Sequence, residues 1–178
     1  MNISEKGLKF LSAMEGGVHR VAPNGMVYPY DDARPKRIWR KGDKPKGYLT
    51  IGVGHLLTDR ESVSVVNGVP MNQALALFHE DVEWAVEAVD KCGVELAQWE
   101  FDALVSFVFN VGAGAFNRST LLRQLRGSES VGERHDIAQT QLKRWNRSGG
   151  RKLKGLIRRR REETELFCYE DYTVHWIR

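Results

Sequence analysis

The segment from residue 98 to residue 111 is apolar on nearly every face that a helix would present. Its apolar side chains include Phe101, Leu104, Val105, Phe107 and Val108. A helix of this kind is stable only when it is buried on all sides. The chain of 178 residues is long enough to surround it with other elements and a hydrophobic core. The sequence therefore predicts a globular helical region built around this segment.

The hydrophobic pattern changes character near Thr58. After this residue the spacing of apolar positions predicts helices over 72–91, 98–111, 119–126, 130–145 and 155–167. Before it, residues 3–14 predict a short helix that ends at Gly16-Gly17. Residues 17–57 favour strands and turns, with a hairpin at Pro23-Asn24-Gly25, a long polar loop over 33–46 and a strand over 48–54.

These elements predict one α+β domain covering residues 1–178. A first helix occupies residues 1–14, a small β-rich region 17–58, a larger helical lobe 72–168 and a tail 169–178, to which the sequence assigns no role. The N-terminal β-sheet region is expected to pack beside the helical lobe and to leave a cleft between them. A cleft of this kind is where ligands commonly bind.

The charge of the chain predicts an anionic partner. The net charge is +4, and the stretch Lys143–Arg161 holds ten basic and no acidic residues. This stretch is interpreted either as a solvated helical face or as a surface attracted to the anionic cell envelope. Charge alone does not choose between a nucleic acid and an envelope, but no nucleic-acid-binding motif is present, and we expect no nucleic-acid partner.

Cysteine and histidine spacing gives no sign of a metal or of a cofactor. Cys92 and Cys168 are 76 positions apart, which favours two reduced thiols in a cytosolic protein. The five histidines lack ligand spacing, so neither a zinc enzyme nor any other metal site is expected. No apolar run approaches the roughly 20 residues of a membrane span. Glu5, Lys6 and Lys9 interrupt the N-terminal apolar stretch, so no signal peptide is expected.

Glu15 is a candidate for acid catalysis at the end of the first helix. Hydrolysis of a glycosidic bond needs one carboxyl that donates a proton and a second group on the opposite face of the sugar. Glu15 follows the apolar residues Leu11 and Met14 and precedes the β-rich region. The same position is also typical of an ordinary surface glutamate, so Glu15 alone does not identify an enzyme.

Several ordered motifs resemble the lysozymes of glycoside hydrolase family 24, to which many phage endolysins belong. They are Glu15-Gly16, Tyr30-Asp31-Asp32, the run from Gly47 to Thr58 with Thr50-Ile51-Gly52-Val53-Gly54-His55 at its centre, the run from Phe101 to Gly112, Ser119-Thr120-Leu121-Leu122, and the C-terminal blocks Gly149-Gly150, Gly155–Arg160 and Glu165–Phe167. The resemblance covers about residues 5–168, with the blocks in order. It implies a lysozyme-like fold and cleavage of the β-1,4 bond between N-acetylmuramic acid and N-acetylglucosamine in peptidoglycan.

The resemblance also implies residue roles. Glu15 would protonate the departing glycosidic oxygen, while an aspartate and Thr50 would hold the attacking water on the other face of the sugar, which inverts the anomeric centre. A threonine hydroxyl can orient water without a charge of its own. Phe116, Asn117 and Ser119 would border the cleft and touch the glycan, although Asn117 or Ser119 is equally suited to cap a helix.

The identity of the aspartate stays open at this level. Glu15 and Thr50 are 35 positions apart, more than is usual in the family, and the extra length lies around the presumed aspartate. Asp32 keeps the Tyr-x-Asp pattern after Tyr30 and is preferred. Strand alternation turns Asp31 to the other face, and Asp43 lies in a loop without that tyrosine. Asn24 stands nearer to Glu15 but cannot act as a base.

The glycines and the histidine after Thr50 are assigned structural roles. Gly52 and Gly54 are expected to allow tight backbone turns. A Gly-x-Gly pair can also bind phosphate, but the helix start that such a site requires does not follow it. His55 is expected to tie the sheet region to the helical lobe through an ion pair or a hydrogen bond.

The sequence therefore predicts a monomeric glycoside hydrolase, a lysozyme or endolysin acting in host cell lysis. It would stay in the host cytoplasm until released to the cell wall. The alternative is a non-catalytic cationic protein that binds the envelope or disrupts membranes, in which Glu15 has no chemical role.

Overall fold

The computed structural model describes residues 1–175 and contains both helices and short strands. The helices are α1 (Glu5–Met14), α2 (Asp59–Val65), α3 (Met71–Asp90), α4 (Gln98–Val111), α5 (Ala113–Asn117), α6 (Thr120–Arg126), α7 (Val131–Gln141) and α8 (Lys154–Tyr169). The strands are β1 (Met26–Val27), β2 (Tyr30–Asp31), β3 (Leu49–Ile51), β4 (His55–Leu56), β5 (Val69–Pro70), β6 (Arg147–Ser148) and β7 (Arg151–Lys152). The predicted α+β class is confirmed.

The chain divides into two compact units. The first is Ser12–Asp81, and the second combines Met1–Leu11 with the chain from Val82 onward. All strands except β6 and β7 lie in the first unit, called here the β unit, and helices α4 to α8 lie in the second, called the helical unit. The organisation of residues 1–178 as a single domain stays a prediction.

The β unit is built on two small antiparallel sheets. One has the order β2-β3-β4, with Tyr30 opposite Thr50 and Thr50 opposite Leu56. The other pairs β1 with β5. The predicted hairpin is present, since the Ala22 N–H donates to the Met26 carbonyl at 2.8 Å. Beneath these sheets lies a buried cluster of Val27, Ile51, Val65, Val69 and Ala74.

The sequence pattern predicts only helices after Thr58. The structure differs, because this region also contains strands. Helix α2 was not among the predicted helices and begins with a capping box, in which the Thr58 hydroxyl accepts from the Glu61 N–H and the Glu61 carboxylate accepts from the Thr58 N–H. After it, Gly68 adopts a φ of +81°, and Val69–Pro70 pairs back with β1. A two-residue strand depends on its partner rather than on local preference, so the sequence pattern gave no sign of it.

Helix α4 is the centre of the helical unit, as predicted from its apolar faces. Leu104, Val105, Phe107 and Val108 are completely buried. Polar side chains on the same helix are buried too. Ser106 donates to the Glu163 carboxylate on α8 at 3.0 Å, and Asp102 accepts hydrogen bonds described below. Helix α5 and the β6–β7 hairpin were not predicted.

The basic stretch Lys143–Arg161 is only partly a solvated face. Arg159 and Arg160 are buried, and both contact the Glu163 carboxylate. The Arg160 guanidinium also lies 4.9 Å from the centre of the Phe107 ring and donates to Asn110 at 2.9 Å. The interpretation of this stretch as a uniformly exposed surface was therefore wrong at these two positions, because Glu163 neutralises charge inside the core.

Both cysteines lie in the core, and part of the C-terminal tail is described by the structure. Cys92 and Cys168 are both free and buried, and burial raises the pKa of the Cys168 thiol to about 11. Within residues 1–175, no helix is both long and apolar enough to cross a bilayer. In the tail, Tyr172 donates to Asp102 at 2.8 Å, while residues 176–178 of the predicted tail lie outside the described residues.

Candidate active site

Glu15 is the first residue after α1 and is partly buried. The helix ends there because Gly16 and Gly17 take φ values of +93° and +78°, and the Gly17 N–H returns to the Ser12 carbonyl at 2.8 Å. Left-handed glycines at this point are a common helix stop. They turn the chain away from the helix axis directly after the glutamate.

The segment after Glu15 is hydrogen-bonded to the three-stranded sheet and packs against it. The His19 N–H donates to the Gly52 carbonyl at 2.9 Å, just beyond β3. The His19 ring packs edge-on against Tyr30, with 5.6 Å between ring centres. Glu15 thus stands four residues before a side chain that contacts β2, and β2 pairs directly with the strand that carries Thr50.

Asp32 is the first residue after β2 and stays bonded to the neighbouring strand region. Tyr30 lies opposite Thr50, and the Asp32 N–H donates to the Tyr48 carbonyl at 3.0 Å, one step beyond the paired residues. If the alternation of β2 is continued by this one residue, Asp32 belongs to the face that carries Thr50 and is its diagonal neighbour. Diagonal neighbours are separated by about 7–8 Å, a distance that leaves room for a bound water.

Asp31 faces the other way and serves the backbone. It is 6% exposed, and its carboxylate accepts from the N–H groups of Lys46 (2.8 Å), Gly47 (2.9 Å) and Ala33 (3.0 Å). The Lys46 N–H in particular holds the pKa of Asp31 below its usual value. A carboxylate that already accepts from three backbone donors is less available to accept a proton from water.

Asp43 is also committed within its own loop. Its carboxylate accepts from the Arg37 guanidinium at 3.1 and 3.2 Å and from the Arg40 N–H at 3.1 Å. Its carbonyl accepts from the Trp39 indole at 3.0 Å. These bonds close a turn within the inserted segment, so the contacts of Asp43 are structural.

Gly47 leaves the space that the Asp32 side chain occupies. Asp32 is exposed, and its Oδ1 accepts from the Tyr48 N–H at 2.7 Å. A Cβ atom built on Gly47 would lie 1.9 Å from that oxygen and 3.0 Å from the Ala33 nitrogen. Any other residue at position 47 would therefore displace the Asp32 carboxylate.

Thr50 is suited to orient a water molecule. It is 4% exposed, and its hydroxyl donates to the Tyr30 carbonyl at 3.3 Å. Because that bond uses the hydroxyl hydrogen, the oxygen lone pairs remain available to accept from water. A carboxylate on the same face can then accept the second hydrogen of that water.

His55 supports the far side of this sheet. Its Nδ1 lies 2.9 Å from Asp81 Oδ1 on α3, and its Nε2 lies 3.5 Å from Glu61 Oε1 on α2. These contacts support the structural role predicted for it. Gly52 and Gly54 take φ values of +63° and +87°, as expected for the tight turn between β3 and β4. A Cβ on Gly52 would also press against the Ala74 carbonyl at 3.3 Å.

The three predicted glycan contacts lie in the helical unit and differ from one another. Phe116 is completely buried and packs edge-on against Phe107, with 6.4 Å between ring centres. Its side chain therefore has no surface to offer a glycan, and that part of the expectation was wrong. Ser119 caps α6 by accepting from the Leu122 N–H at 3.0 Å. Asn117 is exposed and remains a candidate for contact.

Sequence reasoning missed two exposed side chains beside the candidate site. Tyr48 is 71% exposed and lies opposite Asp32, on the face that carries Thr50. Leu56 is 59% exposed and lies opposite Thr50 on β4. Large apolar surface next to polar groups is typical of a sugar-binding site. The alternation of β3 could have indicated Tyr48, because it is two residues before Thr50.

Comparison with known proteins identifies the family to which a chain with this α+β fold belongs. Residues 38–163 match the phage lysozyme family, so the chain belongs to that family. The matched range includes Thr50 and His55 and begins after Glu15 and Asp32.

Similar proteins come from phages and from a bacterium. The endolysin of Salmonella phage P22 is 35% identical over 169 residues, which are 94% of this chain and 98% of that protein. The endolysin of Bacillus phage B103 is 34% identical over 94% of this chain, yet this chain spans about half of that relative, 54% of its length. Among solved structures, the muramidase domain of SpmX from Asticaccaulis excentricus is 31% identical, with a TM-score of 0.64 over 93% of this chain and 97% of that one.

Proposed function

We propose that this chain is a muramidase that hydrolyses the β-1,4 bond between N-acetylmuramic acid and N-acetylglucosamine in peptidoglycan, as an endolysin in host cell lysis. The observation that carries the proposal is the shared face of Asp32 and Thr50, on a sheet fastened to the segment that follows Glu15. Membership of the phage lysozyme family supports it. So does the likeness to the muramidase domain of SpmX.

In the proposed mechanism, one bond forms and one breaks on opposite faces of the sugar. Glu15 donates its proton to the glycosidic oxygen as the bond to the anomeric carbon breaks. A water held by Thr50 attacks that carbon, and Asp32 accepts a proton from the water. The reaction then inverts the anomeric centre, as in hydrolases with room for water between carboxylate and sugar. The exposed ring of Tyr48 provides an apolar surface for a sugar.

The decisive experiment replaces each acid by its amide. Glu15→Gln and Asp32→Asn keep side-chain size and remove the proton donor or acceptor, so we expect release of reducing ends from sacculi to fall by about 100-fold or more. Thermal unfolding and sacculus binding should stay close to those of the unmodified protein. Normal release by Glu15→Gln would overturn the proposal and favour the non-catalytic cationic alternative, which predicts binding or lysis without new reducing ends.

The stereochemistry of the first product tests the water-activating pair separately. An inverting enzyme acting on the β-linked glycan releases the α-anomer first, which NMR detects before mutarotation. A β-anomer as first product would contradict the roles given to Asp32 and Thr50 while leaving a glycosidase role for Glu15.

The proposal also covers the location of the protein and its oligomeric state. We propose a monomer that stays in the host cytoplasm until released to the wall, which light scattering and cell fractionation would test. Electrostatic contact with the anionic envelope through the exposed part of Lys143–Arg161 is proposed as an aid to binding.

A further inference from the structure

The inserted loop of residues 33–47, called here the basic loop, concentrates positive charge beside the candidate site. It contains seven basic residues and one acidic residue, a net charge of +6. The rest of the β unit contains two basic and seven acidic residues, a net charge of −5. The loop therefore supplies the positive charge of a unit that is otherwise acidic.

The basic loop is held in a defined conformation. Asp31 binds its two ends by accepting from the N–H groups of Ala33, Lys46 and Gly47. Its middle is tied to the strand region, because the Trp39 N–H donates to the Pro29 carbonyl at 2.8 Å and Ile38 forms a bridge with Tyr30. Cationic groups on an ordered loop lose less conformational entropy when they bind a ligand than those on a flexible one.

A small pocket opens within this loop. Its volume is about 100 Å³, and its charged lining consists of Arg34, Arg37, Lys44, Asp31 and Asp43. Since one water molecule needs roughly 10–15 Å³ of such volume, the pocket has ample room for a small polar group. A carboxylate fits within it.

Two of the five charged side chains remain uncommitted. The Asp31 carboxylate is saturated by backbone donors, and the Asp43 carboxylate is paired with Arg37. Among residues 1–175, neither Arg34 nor Lys44 forms an ion pair within 4 Å. Both are exposed. Arg34 also interacts electrostatically with Asp31, whose pKa it helps to lower. The pocket thus presents two exposed cations without a short ion pair to an incoming anion.

We propose that this pocket binds a carboxylate of the peptides attached to the glycan strand. The inference deepens the proposed function and rests on it, because the glycan would pass over the neighbouring face of Asp32, Tyr48 and Thr50. Peptide carboxylates repeat along the strand, so a fixed cationic pocket beside the bond to be cleaved would select strands that still bear their peptides. Charge-assisted hydrogen bonds from arginine and lysine supply the affinity.

The test compares binding to two preparations of sacculi, both first stripped of phosphodiester-linked polymers with hydrofluoric acid. One keeps its free carboxylates, and in the other the carboxylates are capped as methylamides. Measured by pelleting in the Glu15→Gln background, binding should favour the uncapped sacculi by about tenfold, the change that one charge-assisted contact supplies. The double variant Arg34→Gln/Lys44→Gln should lose this preference.

A matched control lies in the same loop. Lys36 and Lys41 are exposed and do not line the pocket, so Lys36→Gln/Lys41→Gln removes the same charge and should keep the preference. If both double variants lose the preference for uncapped sacculi equally, the pocket is not the binding site, and the preference comes from general electrostatic attraction. If the preference is seen only before the acid treatment, the ligand of the pocket is a phosphate of the removed polymers, and the proposal of a peptide carboxylate is wrong. Binding needs no hydrolysis, so a preference of the Glu15→Gln protein, together with no reducing-end release by the unmodified protein, would contradict only the proposed function.

Discussion

Two neighbouring carboxylates lie in different surroundings: Asp31 is the last residue of β2, and Asp32 follows it. Asp31 is buried and accepts three backbone hydrogen bonds, whereas Asp32 is exposed and accepts one from the Tyr48 N–H. Chain alternation sends one to each face of the sheet. Asp31 therefore stabilises the basic loop, while Asp32 remains available for chemistry.

The lowered pKa of Asp31 predicts a pH-dependent contribution to stability. The carboxylate is ionised more readily in the folded protein than in the unfolded chain, so its contribution is complete above the unfolded value of about 3.9. It is lost as the pH falls through the lower folded value. We expect Asp31→Asn to lower the melting temperature at pH 6 and the difference to shrink as the pH falls below about 3.9. A difference that is constant over this range would contradict an ionised Asp31.

Substitution of Gly47 should lower activity even though it removes no functional group. In Gly47→Ala the new methyl would meet Asp32 Oδ1 at 1.9 Å, so the carboxylate must move. A displacement of this size in a catalytic group can cost about 100-fold in rate. The measurement is reducing-end release at saturating substrate. Gly155→Ala is the control, because a Cβ there meets nothing within 4 Å; equal activity in the two variants would contradict the role of Asp32.

At the scale of elements, helix α4 fixes both ends of the chain through one buried side chain. Asp102 is 1% exposed and accepts from the Ser4 N–H at 3.0 Å, from Gln98 at 2.9 Å and from the Tyr172 hydroxyl at 2.8 Å. Burial, and then the bond to Asp102, raise the pKa of Tyr172, so the tyrosine stays protonated as a donor. Gly7 allows this approach, since a Cβ there would lie 2.4 Å from the Asp102 carboxyl carbon.

Asp102→Asn should therefore destabilise the protein. The amide replaces one acceptor by a donor and leaves buried donors facing it, which costs about 2–4 kcal/mol in the free energy of unfolding. Chemical denaturation measures this change. Asp136→Asn on the exposed side of α7 serves as the control and should change stability by less than about 0.5 kcal/mol. Similar losses in both variants would show that Asp102 is not a buried anchor.

The elements predicted well from sequence are those whose signals are local. The bounds of α4 agree at both ends and those of α3 within one residue, because a long apolar period and a glycine stop determine them. Strand β5 and the β6–β7 hairpin were missed, since two-residue strands exist only through their partners. The site was partly predictable, because strand alternation is a local signal and separates Asp31 from Asp32. The burial of Phe116, Arg159 and Arg160 was not predictable, because it depends on packing that no local pattern encodes.

At the scale of the whole molecule, positive charge is gathered in two places. One is the basic loop, and the other is the exposed part of the C-terminal basic stretch, which consists of Lys143, Arg144, Arg147, Arg151, Lys152, Lys154, Arg158 and Arg161. The net charge of +4 is therefore small only because acidic residues elsewhere offset these surfaces. Attraction to an anionic wall should depend on where the charges lie rather than on the net value.

The salt dependence of binding to sacculi tests this expectation. The screening length falls from about 10 Å at 0.1 M to about 3 Å at 1 M, so binding of the Glu15→Gln protein to sacculi should weaken as sodium chloride rises. The triple variant Arg151→Gln/Lys152→Gln/Lys154→Gln should bind less tightly at low salt and show a shallower salt dependence. It avoids Arg159 and Arg160, whose loss would disturb the core around Glu163.

A second triple variant separates a local surface from net charge. Lys9, Arg60 and Arg123 are exposed and lie outside both basic segments, so replacing all three by glutamine removes the same charge. If the C-terminal surface contacts the wall, this control keeps the steep salt dependence of the parent protein, because screening acts on charges near the contact. If the two triple variants lose affinity equally, the wall senses only the net charge of the molecule, and the C-terminal stretch has no binding role of its own.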